Sequence, residues 1–343
     1  MDISEFDYNL PEELIAQSPI NNRDESRLLL LDRAKQTISH HIFKELPDLL
    51  NKNDVLVFNN TKVMKCRLIG EIVGSKRKVE ILFLNQNKDG YWECIGKPGR
   101  YLKNEVLVTF DEDLRAEIVA KNSDGTMLVN LSDDTMIEKL GTIPLPPYIN
   151  NHEQKNTDRY QTVYATDTLL SAAAPTAGLH FSNEILKSIN LKGIEKVELS
   201  LQIGLGTFQP IRVDNIHEHN MHSEQWIIND AAAHSINSAK NNHKRILSVG
   251  TTVTRTLESA YLTRKDKSST NINSGSGWTD LFIKPGFKFN VIDMLLTNFH
   301  LPKSTLLVLL SSFASKDFIM EAYNEAIKEK YRFYSFGDAM LII

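Results

Sequence analysis

At 343 residues the chain exceeds the size at which one hydrophobic core is usual, so two domains are expected, and 41% hydrophobic with 24% charged residues describes an ordinary globular protein. The balance of 39 Lys plus Arg against 43 Asp plus Glu, a net charge of -4, excludes coating of nucleic acid by bulk charge and leaves only local basic patches for an RNA partner. Two cysteines, Cys66 and Cys94, lie in strand-like runs without metal-ligand spacing and read as reduced structural thiols, and the acidic start Met1-Asp2-Ile3-Ser4-Glu5 lacks a signal-peptide pattern, which places the protein in the cytoplasm.

In chain order, Pro11 to Ile15 opens a short helix and Leu28 to Leu31 forms a buried strand. Val55 to Phe58 is a second apolar strand ending in Asn59-Asn60-Thr61. From about 65 to 145 six short strands follow, separated by Gly74-Ser75, Asp89-Gly90 and Asp124-Gly125, with no helical period between them. That spacing fits a small closed barrel or sandwich, and Pro144, Pro146 and Pro147 mark a stiff exit. Beyond 150 the pattern is α/β: Ser182 caps a helix through Ile189, Val197 to Ile203 is a strand, Asp230 opens an alanine-rich helix, and Ile246 to Val249 is a buried strand. Ser268 to Gly277 reads as a flexible loop. Pro302 divides the apolar run Val291 to Leu310 into an arriving element and a departing strand, Ser304 to Ser312, with Asn298, His300 and Lys303 at the break. Interrupted by these polar groups, the run cannot be a membrane span. In the last helix Phe318, Ile319, Ala322, Tyr323, Ala326 and Ile327 form a packing stripe.

The expected architecture is therefore a discontinuous α/β domain, residues 1–60 and 150–343, a layered sheet with helices carrying most of the site. Into it is inserted an all-β barrel, residues 61–149, and the cleft between the two is the default place for a site.

Several blocks carry groups suited to chemistry. Val249 to Ser259 is a strand, a glycine turn and a helix start lined with hydroxyls, where Thr251 and Thr252 with Arg255 one turn on suit an anion. The glycine turn Ile203 to Pro210, with Gly204 and Gly206, permits close approach of a ligand but lacks the third glycine and helix start of a dinucleotide fold. His217 to Glu224 gathers three imidazoles and two carboxylates. Its spacing favours acid and base work over a metal, with a solvated loop as the alternative. Ala172 to Phe181 is a run of small residues ending at His180, against which a flat ligand can lie, or which packs tightly for its own sake.

Taken in order, a set of blocks spanning nearly the whole chain resembles the S-adenosylmethionine:tRNA ribosyltransferase-isomerase family of queuosine biosynthesis. They are Phe6-Asp7-Tyr8 with Leu10-Pro11, Asn53 to Thr61, Asp158 to Ala165, Ala174 to Phe181, Gly206 to Pro210, Met221 to Glu224, Thr279-Asp280 with Pro285-Gly286, Thr297 to Leu307, and Tyr331-Arg332-Phe333 leading to Gly337-Asp338-Ala339-Met340-Leu341. The resemblance implies transfer and isomerisation of the ribosyl part of S-adenosylmethionine onto the aminomethyl group of a 7-deazaguanine at the tRNA wobble position. Epoxyqueuosine-tRNA forms, with release of adenine and methionine. It also implies S-adenosylmethionine as co-substrate and tRNA as partner; apart from the resemblance, no metal, no membrane and no obligate protein partner are expected, and the chain is expected to be a monomer.

On this reading proton transfer is expected of His180, His222, Glu224 and Asp280. S-adenosylmethionine is expected at Thr176, Gly178, Gly204, Gly206, Thr251, Thr252 and Arg255, and substrate contact at Asn59, Asn60, Thr61, Tyr160, Gln161, Asn298, His300 and Lys303. RNA would meet exposed basic residues helped by Tyr101 or Trp92. Lys62, Gln202 and Leu170-Ser171-Ala172 depart from the family's usual Arg, His and Gly-Ser-Val type residues, which puts an acid or base role at position 202 in doubt. Two other readings stay open: a non-catalytic RNA-binding protein that uses the barrel, and a metal-dependent hydrolase built on His217, His219 and His222.

Overall fold

The protein is seen here as a computed structural model that describes residues 1–150, 153–204, 211 and 213–343. Its strands are β1 Arg27–Asp32, β2 Thr37–Ile42, β3 Asp54–Asn59, β4 Thr61–Val63, β5 Arg67–Ile72, β6 Arg77–Gln86, β7 Trp92–Lys97, β8 Leu107–Thr109, β9 Arg115–Lys121, β10 Met127–Leu131, β11 Thr166–Ser171, β12 Glu195–Leu201, β13 Glu224–Ile228, β14 Arg245–Val249, β15 Gly275–Thr279, β16 Met294–Asn298 and β17 Ala339–Ile342. The helices are α1 Leu46–Leu49, α2 Met136–Leu140, α3 Gln154–Arg159, α4 Asn183–Leu191, α5 Asp230–Asn241, α6 Thr251–Leu262, α7 Thr305–Ala314 and α8 Lys316–Lys328. They divide into two compact units. One comprises Met1–Lys62, Pro146–Leu169 and Ala174–Ile343, the other Val63–Leu145 with Leu170–Ala173.

The larger unit is built on a nine-stranded sheet, ordered β15-β13-β12-β3-β14-β16-β17-β1-β2. Every residue of β3, β16 and β17 is buried, as in strands covered on both faces. Leu56, Phe58, Leu247, Leu296 and Leu341 from the sheet share one core with Phe43, Phe181 and Ile185. Strand direction places the site. Because β12, β3, β14 and β16 run parallel, Leu201, Asn59, Val249 and Asn298 all end at the same edge. β17 is antiparallel to β16 and parallel to β1, so the turns that lead into β17 and β1, around Tyr334 and Ser26, reach that edge as well. Sheets of this kind bind ligands outside the carboxyl ends of their parallel strands.

The smaller unit is a closed antiparallel barrel, ordered β10-β7-β6-β5-β8-β9. Burial alternates along β9, and the interior is filled by Leu68, Ile81, Phe83, Val108, Ala116, Ile118 and Val129. Cys66 and Cys94 are free and buried, and burial pushes the Cys66 thiol up to about 12, so neither is a nucleophile.

Two expectations are corrected. Ser304 to Ser312 is not a strand. Ser304 caps α7, its hydroxyl accepting from the Leu307 N–H at 3.2 Å, and a helix apolar on nearly every side carries no period to separate it from a buried strand. The loop at Ser268 to Gly277 ends in β15, whose small residues hide its pairing with β13, Trp226 opposite Gly277. His217 stands in a single 3-10 turn, Ile216–Glu218. β2, an exposed edge, and β17 were not foreseen as strands.

Candidate active site

At the strand-end edge of the larger unit lies a cavity of about 650 Å³ of empty space, counting space open to solvent. Thr251 and Thr252 line it from the start of α6, Pro175 and Thr176 from the 3-10 turn before α4, Asn298 and His300 from the end of β16, and Tyr334 from the turn into β17. It is built wholly from this one unit, whereas the sequence pointed to a cleft between domains.

One end of the cavity donates. Gly250, held at φ 97°, precedes α6 and has no side chain with which to cap the first N–H groups of the helix. Thr252 adds a buried hydroxyl without a protein partner. Uncapped N–H groups and the positive end of a 12-residue helix suit a carboxylate. The tyrosine rings of Tyr148 and Tyr334, 4.6 Å apart, supply aromatic wall.

The other end accepts, and a chain of hydrogen bonds fixes its direction. The Asn298 amide NH₂ donates to the Tyr334 carbonyl at 3.1 Å and to His180 Nε2 at 3.1 Å. Since a carbonyl can only accept, the amide cannot be turned over, and His180 must accept at Nε2 and carry its proton on Nδ1. That proton goes to Ser26 Oγ at 2.8 Å, and Ser26 in turn donates to the Arg23 carbonyl at 3.3 Å. Burial first, then repulsion from Arg23 and Arg332, pushes His180 down to about 3, and its ring stacks on Phe43 at 5.1 Å. The chain leaves Asn298 Oδ1 buried, unpartnered and able only to accept. Tyr334, whose carbonyl anchors it, holds φ at 73°, an uncommon conformation for a bulky residue and one found most at functional sites.

His300 is also held neutral, pushed down to about 3 by burial. Its Nε2 pairs with Thr297 Oγ1 at 2.8 Å, its N–H donates to the Tyr323 hydroxyl at 2.9 Å, and its carbonyl accepts from Tyr8.

Arg255 and Glu224, expected to clamp an anion and to move a proton, face each other instead. Both are 4–5% exposed, and Arg255 Nη1 donates to Glu224 Oε2. The rest of the guanidinium holds the Leu281 carbonyl at 3.0 Å and the Thr279 carbonyl at 3.4 Å, while Glu224 Oε1 accepts from the Gly204 N–H at 3.2 Å. The pair ties α6 to β13 and β15, and neither residue lines the cavity.

The remaining expected residues separate into framework and surface. Asn59 bridges strand ends through the Leu201 N–H and carbonyl, Asn60 accepts from Ser200 and donates to Glu198, and Thr61 donates to the Leu169 carbonyl. Tyr160 is fully buried against Phe336, and the Gln161 carbonyl accepts from Arg23. Gly178 is close-packed, since an added Cβ would lie 1.9 Å from the Tyr164 hydroxyl. Lys303 pairs with Asp7 at 2.8 Å, half exposed. His222 and Asp280 are exposed, and Gly206 lies outside the described residues. Lys62, one of the departures from the family pattern, pairs with Asp167 at 2.7 Å. Trp92 packs on Phe83 and donates to Asp134, whereas Tyr101 lies between Arg77 and Arg100, 4.5 and 4.7 Å from its ring. Among the described residues no cluster of His, Cys, Asp or Glu could hold a metal, and no helix is long and apolar enough to cross a membrane.

Sequence reasoning missed Tyr334, Ser26 and Arg23 as parts of the site. For Tyr334 the lone signal was its place between Tyr331-Arg332-Phe333 and Gly337 to Leu341, and no block contained Ser26 or Arg23.

A family model described as queuosine biosynthesis protein matches residues 3–342. The chain belongs to the queuosine biosynthesis protein family. Other members are similar over their full lengths. A protein of Staphylococcus saprophyticus named S-adenosylmethionine:tRNA ribosyltransferase-isomerase is 49% identical, covering 100% of each chain. Identically named proteins of Desulfitobacterium hafniense and Halothermothrix orenii are each 47% identical over 100% of each chain. A crystal structure titled S-adenosylmethionine tRNA ribosyltransferase, from Thermotoga maritima, is 37% identical with a TM-score of 0.57, covering 99% of this chain and 100% of that one. The α/β sheet with a closed barrel is thus the architecture of a queuosine biosynthesis protein.

Proposed function

We propose that this chain is an S-adenosylmethionine:tRNA ribosyltransferase-isomerase, acting in the cytoplasm as a monomer. The carrying observation is its similarity along the whole length to proteins of that name. Its acceptor is the aminomethyl group of a 7-deazaguanine at the tRNA wobble position, and its products are epoxyqueuosine-tRNA, adenine and methionine.

The reaction sets three demands: a clamp for the methionyl carboxylate, acceptors for the amine and adenine N–H groups, and a site dry enough to keep the amine nucleophile neutral. The α6 start with Thr251 and Thr252 answers the first, in place of Arg255. Asn298 Oδ1 answers the second, with His180 as a positioning residue that holds the amide rather than as an acid or base. Neutral His300 on the cavity wall is our assignment for proton transfer. His222 and Asp280, exposed and absent from the wall, have no step in this account. RNA contact on the barrel falls to the Arg77, Tyr101 and Arg100 stack.

Incubation with S-adenosylmethionine and tRNA containing 7-aminomethyl-7-deazaguanine, followed by chromatography, should reveal free adenine and methionine. Tight tRNA binding without adenine release would replace the enzyme by an RNA-binding protein.

A further inference from the structure

On the far side of His180 from the Asn298 amide is a smaller pocket, about 280 Å³ of empty space, lined by Arg23, Ser26, Arg159, His180, Ser335 and Gly337 among others. No acidic side chain lines it. Arg23 donates to the Leu179 carbonyl at 3.0 Å and the Gln161 carbonyl at 2.9 Å. Arg159 Nη1 donates to the Ile20 and Asn21 carbonyls at 3.1 and 2.8 Å. Among the described residues neither guanidinium has an ion pair, and Arg159 Nε is buried with no partner at all.

Nearby carboxylates are engaged elsewhere. Asp24 accepts from Ser182, and Asp338 accepts from the Arg27 and Arg332 N–H groups. Two part-buried cations held only by carbonyl dipoles repel each other, and burial followed by Arg159 pushes Arg23 down to about 10. An oxyanion between them removes that repulsion, and the planar fork of arginine matches a phosphate edge. Lys155, one turn earlier on α3 and exposed, reaches Asn21 Oδ1 at 3.2 Å and extends the basic row to solvent.

We propose that Arg23 and Arg159 hold a backbone phosphate of the tRNA in this pocket, an inference that rests on the tRNA-modifying function above. The contact anchors the RNA strand beside the chain of hydrogen bonds that sets Asn298: Ser335 lines both this pocket and the reacting cavity, and His180 lines this pocket while bonding the Asn298 amide that faces the other.

Binding of the modified tRNA to full-length wild type, Arg159→Gln and Arg159→Lys is measured across a salt series, together with KM for S-adenosylmethionine and the melting midpoint of each. Arg159→Gln should weaken tRNA binding by about 5- to 20-fold at low salt and reduce the salt slope by about one, with KM for S-adenosylmethionine unchanged. Arg159→Lys should keep the slope. Because Arg159 also holds two backbone carbonyls, Arg23→Lys supplies an independent reading should Arg159→Gln melt early: fewer forked contacts, weaker tRNA binding, unchanged slope. A wild-type slope in Arg159→Gln, or a raised KM for S-adenosylmethionine with tRNA binding intact, overturns the proposal. A wild type that binds tRNA but releases no adenine overturns the function instead, and leaves the phosphate pocket standing if the slope still falls.

Discussion

Replacing Glu224 by Gln separates a structural carboxylate from a catalytic one. The side chain keeps its volume but only one acceptor oxygen, so either the Gly204 N–H or the Arg255 N–H keeps its partner while the other meets the new amide NH₂, and the Arg255 guanidinium becomes a charge inside the protein with no counter-charge. Both groups are about 5% exposed, so solvent screens little of the loss. Removing one member of a buried pair costs roughly 3–5 kcal/mol, and the kept volume and one retained hydrogen bond put Glu224→Gln near the lower limit, about 3 kcal/mol. That is a large part of a stability on the order of 5–15 kcal/mol and corresponds to a melting shift of roughly 6–12 °C for a unit of this size. Thermal and urea melts, with turnover measured well below the midpoint, test this. If the variant melts like wild type yet has lost turnover, Glu224 is a proton-transfer group and does not tie α6 to β13.

Asn298→Leu should leave substrate binding to the α6 end largely intact while lowering kcat at least tenfold, because the acceptor and its fixed direction disappear together; an unchanged kcat in steady-state assays would remove Asn298 from the site. Stability should fall as the pH is lowered. His180 and His300 are held neutral in the fold near 3 but protonate near the ordinary 6.5 when unfolded, so the unfolded state gains protons first. Each histidine then contributes up to about 1.4 kcal/mol per pH unit between roughly 6 and 3, and urea midpoints from pH 7 to 4 should decline, whereas a flat profile would contradict neutral burial. Gly178→Ala should lower stability by about 1–3 kcal/mol, since its Cβ would collide with the Tyr164 hydroxyl; Tyr164→Phe should relieve most of that loss, and calorimetry of the pair decides it.

Much of the fold was readable because its signals are local. The barrel announced itself by six short runs with turn residues between them, and β3 and β14 by unbroken apolar stretches. The α7 segment did not, since Leu306 to Leu310 is apolar on nearly every side and only the small signal of Ser304 as a cap favoured a helix. The site was legible as a set of blocks and poorly legible as roles. Asn298 and His300 were picked out by polarity in apolar surroundings, Thr251 and Thr252 as hydroxyls at a helix start after a glycine turn, and the four line one cavity. Arg255 and Glu224 have the same residue types whether they face a ligand or each other, and only strand pairing decides which. Tyr334 reaches the cavity through antiparallel placement of β17, a relation between distant segments that no spacing encodes.

The neighbours β1 and β17 lie roughly 310 residues apart along the chain, and contacts of such separation form late. Until β17 arrives, the hairpin of β1 and β2 presents Leu28, Leu29 and Leu31 beside an open strand edge, a sticky surface on a nascent chain. Assembly of this enzyme should therefore depend on shielding by chaperones more than its native stability suggests, and single substitutions in β17 should reduce yield before they reduce specific activity.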